Sequence, residues 1–198
     1  MNDAKLARVR VAATVVVMLL ELAHLAWEYF HGGVVSHHLL AREDLPSISN
    51  WWGAVLLPAL TWFLVGRIHR RAARHRAGRG SVLGYPAGIV AGFVAALVFG
   101  VALSMAFTLG HNSVSSALFF GALLLATVLP LYRAECVLGF VLGMTFTFGA
   151  VLPSLVGSVI AAIAALFGFV VHPALRWVVS RFKRGGSTDP VRVRLSGD

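Results

Sequence analysis

Sulfur and charge are both scarce in this chain. Among 198 residues there is one cysteine, Cys136. That excludes an internal disulfide framework and any cysteine-based zinc cluster, and leaves Cys136 the role of a small apolar side chain in a helix. Only 13% of residues are charged and eight are acidic, against 58% hydrophobic residues and a mean hydropathy of +0.81. A soluble domain of this size needs more polar surface than that, so the composition excludes one. No internal repeat is visible, which gives no support to an inverted-repeat transporter design. No HExxH or similar signature is present either.

What remains is apolar sequence in long runs. Stretches near 20 residues fall at about 8–30, 51–69, 87–109, 115–132, 136–156 and 158–182, the length needed to cross a bilayer. The first run continues past Leu20 without the short core and small-residue exit of a cleaved signal, and reads as a retained helix. Pro153, Ser154 and Gly157 are the expected turn of a tight hairpin between the last two spans. Pro58 and Pro130 are expected to kink their helices.

The basic residues then orient the chain. Three lie at the N-terminus (Lys5, Arg8 and Arg10), six between Arg67 and Arg79, one at Arg133 and six from Arg176 to Arg194. With six spans these sixteen of the 17 share one side, and only Arg42 is opposite. The positive-inside rule puts that side, and both termini, in the cytoplasm. The expected fold is an all-α, polytopic integral membrane bundle of six transmembrane helices, N-in and C-in, over residues 1–184. A flexible cytoplasmic tail follows at 185–198. The expected location is a bacterial-type cytoplasmic (inner) membrane. The net charge of +9 is then a topology signal and a contact with membrane lipids, not a nucleic-acid surface.

Small residues mark the helix contacts. Gly88, Gly92, Ala96, Gly100 and Ser104 recur at every fourth position of the third span, Gly139, Gly143 and Thr147 in the fifth, and Ala161 and Ala165 in the sixth. Such rows let backbones approach closely in lipid, within one chain or between subunits of an oligomer.

The chemistry gathers on the outer half. Glu21, His24, Glu28 and His31 are spaced by three, four and three, so they form one stripe on the first helix. Carboxylates in a bilayer cost roughly 2.5–3.5 kcal/mol each, so such a row points to a use. From a start near Arg8, Glu21 lies roughly 20 Å along the axis, past the midplane. The stripe is therefore expected to line a cavity open to the extracytoplasmic face. The first outer connection, residues 31–50, is long for so small a bundle. It carries His37, His38 and Asp44, and Gly32 and Gly33 end the helix before it. Val34, Val35, Leu39 and Leu40 suit a short interfacial or re-entrant piece, Ser49 or Asn50 a cap, and Trp51 and Trp52 the aromatic belt.

Three uses of the stripe follow. In the first, His24, Glu28 and His31, completed by His37, His38 or His111, hold zinc, copper or iron. A bis-histidine haem between His24 and His111 is a variant of it. In the second, the carboxylates and His24 perform metal-free acid–base chemistry, with Glu21, His24, Glu28 and Asp44 as the catalytic set. In the third, the Glu/His ladder passes cations or protons. The reading placed first is a small inner-membrane enzyme with a His/carboxylate, metal-assisted site that acts on a lipid or lipid-linked substrate. A cation- or proton-coupled transporter comes second. The third is a non-catalytic subunit or assembly factor, in which the row only holds helices or a partner. Against transport, the cytoplasmic half offers only Arg133, Glu135 and His172, and Glu135 is expected to pair with Arg133.

Overall fold

The computed structural model describes residues 3–34, 36–38, 47–74, 81–82 and 85–185. The chain is helical throughout its apolar runs. Helix α1 spans Asp3–Phe30, α2 Gly53–Arg74, α3 Ala87–Thr108, α4 Asn112–Val128, α5 Ala134–Phe148 and α6 Val151–Leu166. A π turn at Phe167–Val171 joins α6 to α7, His172–Gly185. Four helical stretches are long and apolar enough to cross a membrane: Ala4–Phe30, Asn50–Arg74, Ala87–Thr108 and Val151–Arg181.

Helices α4 and α5 coincide with the other two expected spans but are shorter. Their 17 and 15 residues rise roughly 25 and 22 Å, less than the roughly 30 Å of a bilayer core. Pro130 falls beyond the end of α4 and so kinks nothing, whereas Pro58 does lie inside α2. The α5–α6 turn is at Gly149 and Ala150, not at Pro153, Ser154 and Gly157. Pro153 is the third residue of α6, where a missing N–H breaks no helical bond. Gly149 takes a φ of +66°, which suits glycine and ends α5.

From α1 to α6 successive helices run in opposite directions, and α7 continues the course of α6. Glu21 of α1 lies against Gly53 of α2, and Arg10 against Trp62 and Gly66. Gly157 of α6 packs on Phe140 and Val141 of α5, and Gly168 on Tyr132. Helices α3 and α5 run parallel and are the most intimate pair, as their small-residue rows lead one to expect. A Cβ on Gly100 would sit 2.7 Å from the Phe140 carbonyl oxygen, and one on Gly143 would sit 2.5 Å from that of Leu97. The described arginines at the start of α1, at the end of α2 and at Arg133 therefore collect at one end of the bundle. The α1–α2 connection, the α3–α4 turn and Gly149 collect at the other.

The burial pattern is that of a protein solvated by lipid. In α1 the only buried residues among those described are Glu21, Leu25 and Glu28, while Leu19, Leu20, Trp27 and Phe30 are exposed. A helix in water would be turned the other way. Leu124, Val128 and Phe146 are likewise exposed on α4 and α5. Inside, one core joins α3 to α6 around Leu103, Phe140, Met144 and Ile160, and a second joins α2, α3 and α5 around Leu64, Ile68, Ile89 and Leu138.

The described part of the α1–α2 connection holds a short hairpin; Val35, Leu39 and Leu40, expected with Val34 as an interfacial or re-entrant piece, lie outside the described residues. Strand β1, Ser36–His38, pairs antiparallel with β2, Ser47–Ser49, in the register His37 with Ile48 and His38 with Ser47. A second pair, β3 (Ser81–Val82) with β4 (Tyr85–Pro86), precedes α3. The expected flexible tail beyond Gly185, the connector 75–80 and Asp44 lie outside the described residues.

Candidate functional site

The stripe on α1 faces inward and is closed over by other helices. Helical steps of three and four stack Glu21, His24 and Glu28 on one side, and the start of α2 and the end of α5 supply the opposite wall. Glu21 and Glu28 are 3% and 7% exposed. His24 stands between them, with Nδ1 3.9 Å from Glu21 Oε2 and Nε2 3.5 Å from Glu28 Oε1. Each imidazole nitrogen therefore faces a carboxylate, and a protonated ring would be attracted to both. The face of the ring meets Phe146 of α5 at 5.0 Å between centroids.

Asn50 completes the cluster. Its Nδ2 donates to Glu28 Oε1 at 2.8 Å. Asn50 is buried in a 3-10 turn, Asn50–Trp52, that opens α2, and Ser49 Oγ accepts from Trp51 N at 3.4 Å as the expected cap. Two glycines make the room. A Cβ on Gly53 would overlap Glu21 Oε1, and one on Gly149 would overlap Asn50 Oδ1. Among the described residues Glu21 Oε1 has no hydrogen-bond donor. A buried carboxylate oxygen left in that state costs free energy unless a proton or a cation takes the place of the donor.

Replacing Asn50 by alanine removes a donor that holds Glu28 in this wall. The expected loss is about 1–3 kcal/mol of stability, measured as a fall in the thermal midpoint of the purified protein in detergent. An unchanged midpoint would show that the Asn50–Glu28 bond carries no weight.

The other expected ligands are not drawn in. His31 is exposed at the end of α1, with Nδ1 2.8 Å from the Trp27 carbonyl oxygen and its ring stacked on the Trp27 indole at 4.7 Å. His111 is exposed at the α3–α4 turn. The backbone of His37 and His38 lies in β1, and their side chains lie outside the described residues, as does all of Asp44. Among the described residues no group of three His, Cys, Asp or Glu side chains is arranged to hold a metal. His24 explains part of this, because both of its ring nitrogens are already turned to carboxylates.

The polar row also continues toward the arginine-rich end, which the stripe alone did not reveal. Thr14 and Arg10 lie seven and eleven residues before Glu21, on the same side of α1. Arg10 Nε donates to the Trp62 carbonyl oxygen at 2.8 Å, and its guanidinium covers the Trp62 ring at 3.9 Å. Thr61, 1% exposed, lies two turns along α2 from Gly53, and neither its hydroxyl nor that of Thr14 has a partner among the described residues. Beyond Arg10, His69 is buried in α2 with Nε2 2.6 Å from the Tyr85 hydroxyl. Burial pushes the Tyr85 hydroxyl above its ordinary pKa, so it keeps its proton. Between the two polar halves, Val17 packs against Leu57, Val141 and Ala150. The signal for the second half was present in the spacing of Arg10 and Thr14, but Arg10 also served as a topology charge.

Glu135 corrects one expectation. It is 1% exposed in the first turn of α5 and pairs with Arg71 of α2, not with its neighbour Arg133. Cys136 is half-buried beside it.

No family model, no curated protein and no solved structure matches this chain.

Proposed function

We propose that the protein is a proton- or cation-translocating membrane carrier whose path follows the α1–α2 seam. One observation carries this reading: the inward side of α1 carries two polar groups, Glu21–Glu28 and Arg10–Thr14, with the apolar Val17 between them. Glu21, His24, Glu28 and Asn50 form one half, and Thr14, Thr61, Arg10 and His69 form the other. Val17 and Leu57 separate them. Polar and ionisable groups within a membrane belong on a pathway, and a carrier also needs a barrier, since an unbroken polar column would leak. His24 can exchange a proton with either carboxylate by a small ring movement. Thr61 and His69 join Arg10 and Thr14 only through the packing of α2 on α1, so the sequence alone shows little of this second half.

The enzyme reading needs Asp44 or a further histidine at the stripe. His31 and His111 stand exposed away from it, which favours the carrier. A transported cation would meet Glu21 Oε1, which has no donor among the described residues. The alternating helices and the one-sided arginines support both termini in the cytoplasm, with six spans, α4 and α5 being short ones. The Glu21 half of the seam then lies toward the outside of an inner membrane.

The test is flux into vesicles that contain the purified protein and a pH- or cation-sensitive dye. Under an imposed gradient of protons, Na+, K+ or Mg2+, the protein should conduct at least one of them well above empty vesicles, and Glu21→Gln should abolish it. Silence under every gradient, with potentials of either sign, would leave the carrier reading without support.

A further inference from the structure

A second feature lies at the other end of the bundle and is independent of the carrier reading. A cavity of about 310 Å³ opens between α3, α4, α5 and α6, with walls that include Gly92, Ala95, Phe99, Leu125, Phe140 and Ile160. Its volume is in the range of sites for small molecules. It exists because the small residues of α3 leave space that no side chain fills. Next to it is a wider, polar cavity of about 550 Å³ lined by Arg67, Arg70, Arg71, Arg74, Arg133 and Glu135, with Tyr132 and Ala134. Arg133 and Glu135 belong to both walls, so the two spaces lie side by side there.

The charges do not balance. Five arginines surround one carboxylate, and Arg71 is the one that pairs with it. Arg67 lies over the Phe63 ring at 5.8 Å, and Arg70 and Arg74 are exposed on the last turns of α2. Arginine presents planar donors suited to phosphate, and these sit where a bilayer's headgroups meet its hydrocarbon.

We propose that the paired cavities are a binding site for one anionic phospholipid, with an acyl chain in the apolar cavity and the phosphate among Arg67, Arg70, Arg74 and Arg133. An apolar compartment beside a phosphate-binding one matches the two-part chemistry of a lipid, and neither a free anion nor an apolar ligand would use both. The occupant is distinct from bulk lipid because it enters between helices.

Native mass spectrometry of the full chain in detergent tests this, with phosphatidylglycerol and phosphatidylcholine of identical chains as probes. The first should bind more tightly than the second. Arg70→Gln with Arg74→Gln should weaken phosphatidylglycerol about fivefold for each arginine removed and leave phosphatidylcholine nearly unchanged. The matching lysine pair, which retains the charge, should keep most of the preference. Ala95→Phe, which fills the apolar cavity, should weaken both lipids. Equal binding of the two lipids would overturn the proposal. So would indifference to the arginine or Ala95 substitutions, or displacement of the lipid by free glycerol phosphate alone, which would mark a simple anion site.

Discussion

A leucine at Gly143 is expected to prevent the native bundle from forming. Gly143 faces backbone, not flexible side chain. Its Cβ would lie 2.5 Å from the Leu97 carbonyl oxygen and 3.1 Å from Gly100 Cα. On the next turns Gly100 and Gly139 are closed by the backbones of Phe140 and Phe93, so the helices cannot tilt about a single point. Ser104 Oγ also donates to the Gly143 carbonyl oxygen at 3.3 Å, and that bond breaks once α3 and α5 part. In lipid no hydrophobic pull restores the contact, since the stabilisation comes from close packing itself. Overpacking that side chains can absorb costs about 1–3 kcal/mol. Here it must move two helices, and more than about 4 kcal/mol is expected. The site goes with it, because α5 carries Phe146 and ends at Gly149. Gly121→Ala is the control: in α4 a new Cβ would meet nothing within 4 Å, and the helix should gain about 0.5–1 kcal/mol. Thermal unfolding in detergent, followed by circular dichroism, separates the two. A Gly143→Leu protein that melts within a few degrees of the unaltered chain would mean that α3 and α5 do not meet in this way.

That interface was legible in the sequence because its cause is local to each helix. Glycine at every fourth position forms a groove whatever lies opposite, and two such rows fit each other. The stripe on α1 was legible for the same reason. Its partners were not. Asn50 looks like a helix cap, and only the tertiary fold brings it to Glu28, 22 residues earlier in the chain. Gly149 sits in an apolar run where a proline four residues on attracts the turn. Glu135 has Arg133 as its nearest basic neighbour in sequence, yet pairs with Arg71, 64 residues away, because α5 buries its first turn against the end of α2. Pairs made by packing leave no trace in spacing. The carrier reading gained on the enzyme reading for this reason: Thr61 and His69 reach the seam only through the antiparallel fit of α2 on α1.

Glu21→Gln decides whether the buried cluster acts or merely holds helices together. Glutamine has the shape of glutamate, so it fits against the bare backbone of Gly53 where a larger residue would not. It removes one of two carboxylates flanking His24, including an oxygen that has no donor among the described residues. Burying a charge without full compensation costs stability, and removing one side of a like-charged pair relieves it. The substituted protein is therefore expected to be at least as stable as the original, by up to about 1 kcal/mol in thermal or denaturant unfolding. Flux should respond in the opposite sense. With no group at position 21 to accept or release a proton, transfer past His24 stops, and a loss on the order of 100-fold or more is expected, the scale of a removed acid–base group. Stability and transport thus move apart in a functional cluster. A purely structural one predicts a fall in stability with no flux to lose. His24→Gln, which removes the ring between the carboxylates, should reproduce the flux defect. It should also destabilise the chain, because the ring that stands between Glu21 and Glu28 and packs on Phe146 is then lost. Equal stability loss in both variants, in a protein that conducts nothing, is the result that would assign the cluster to helix assembly.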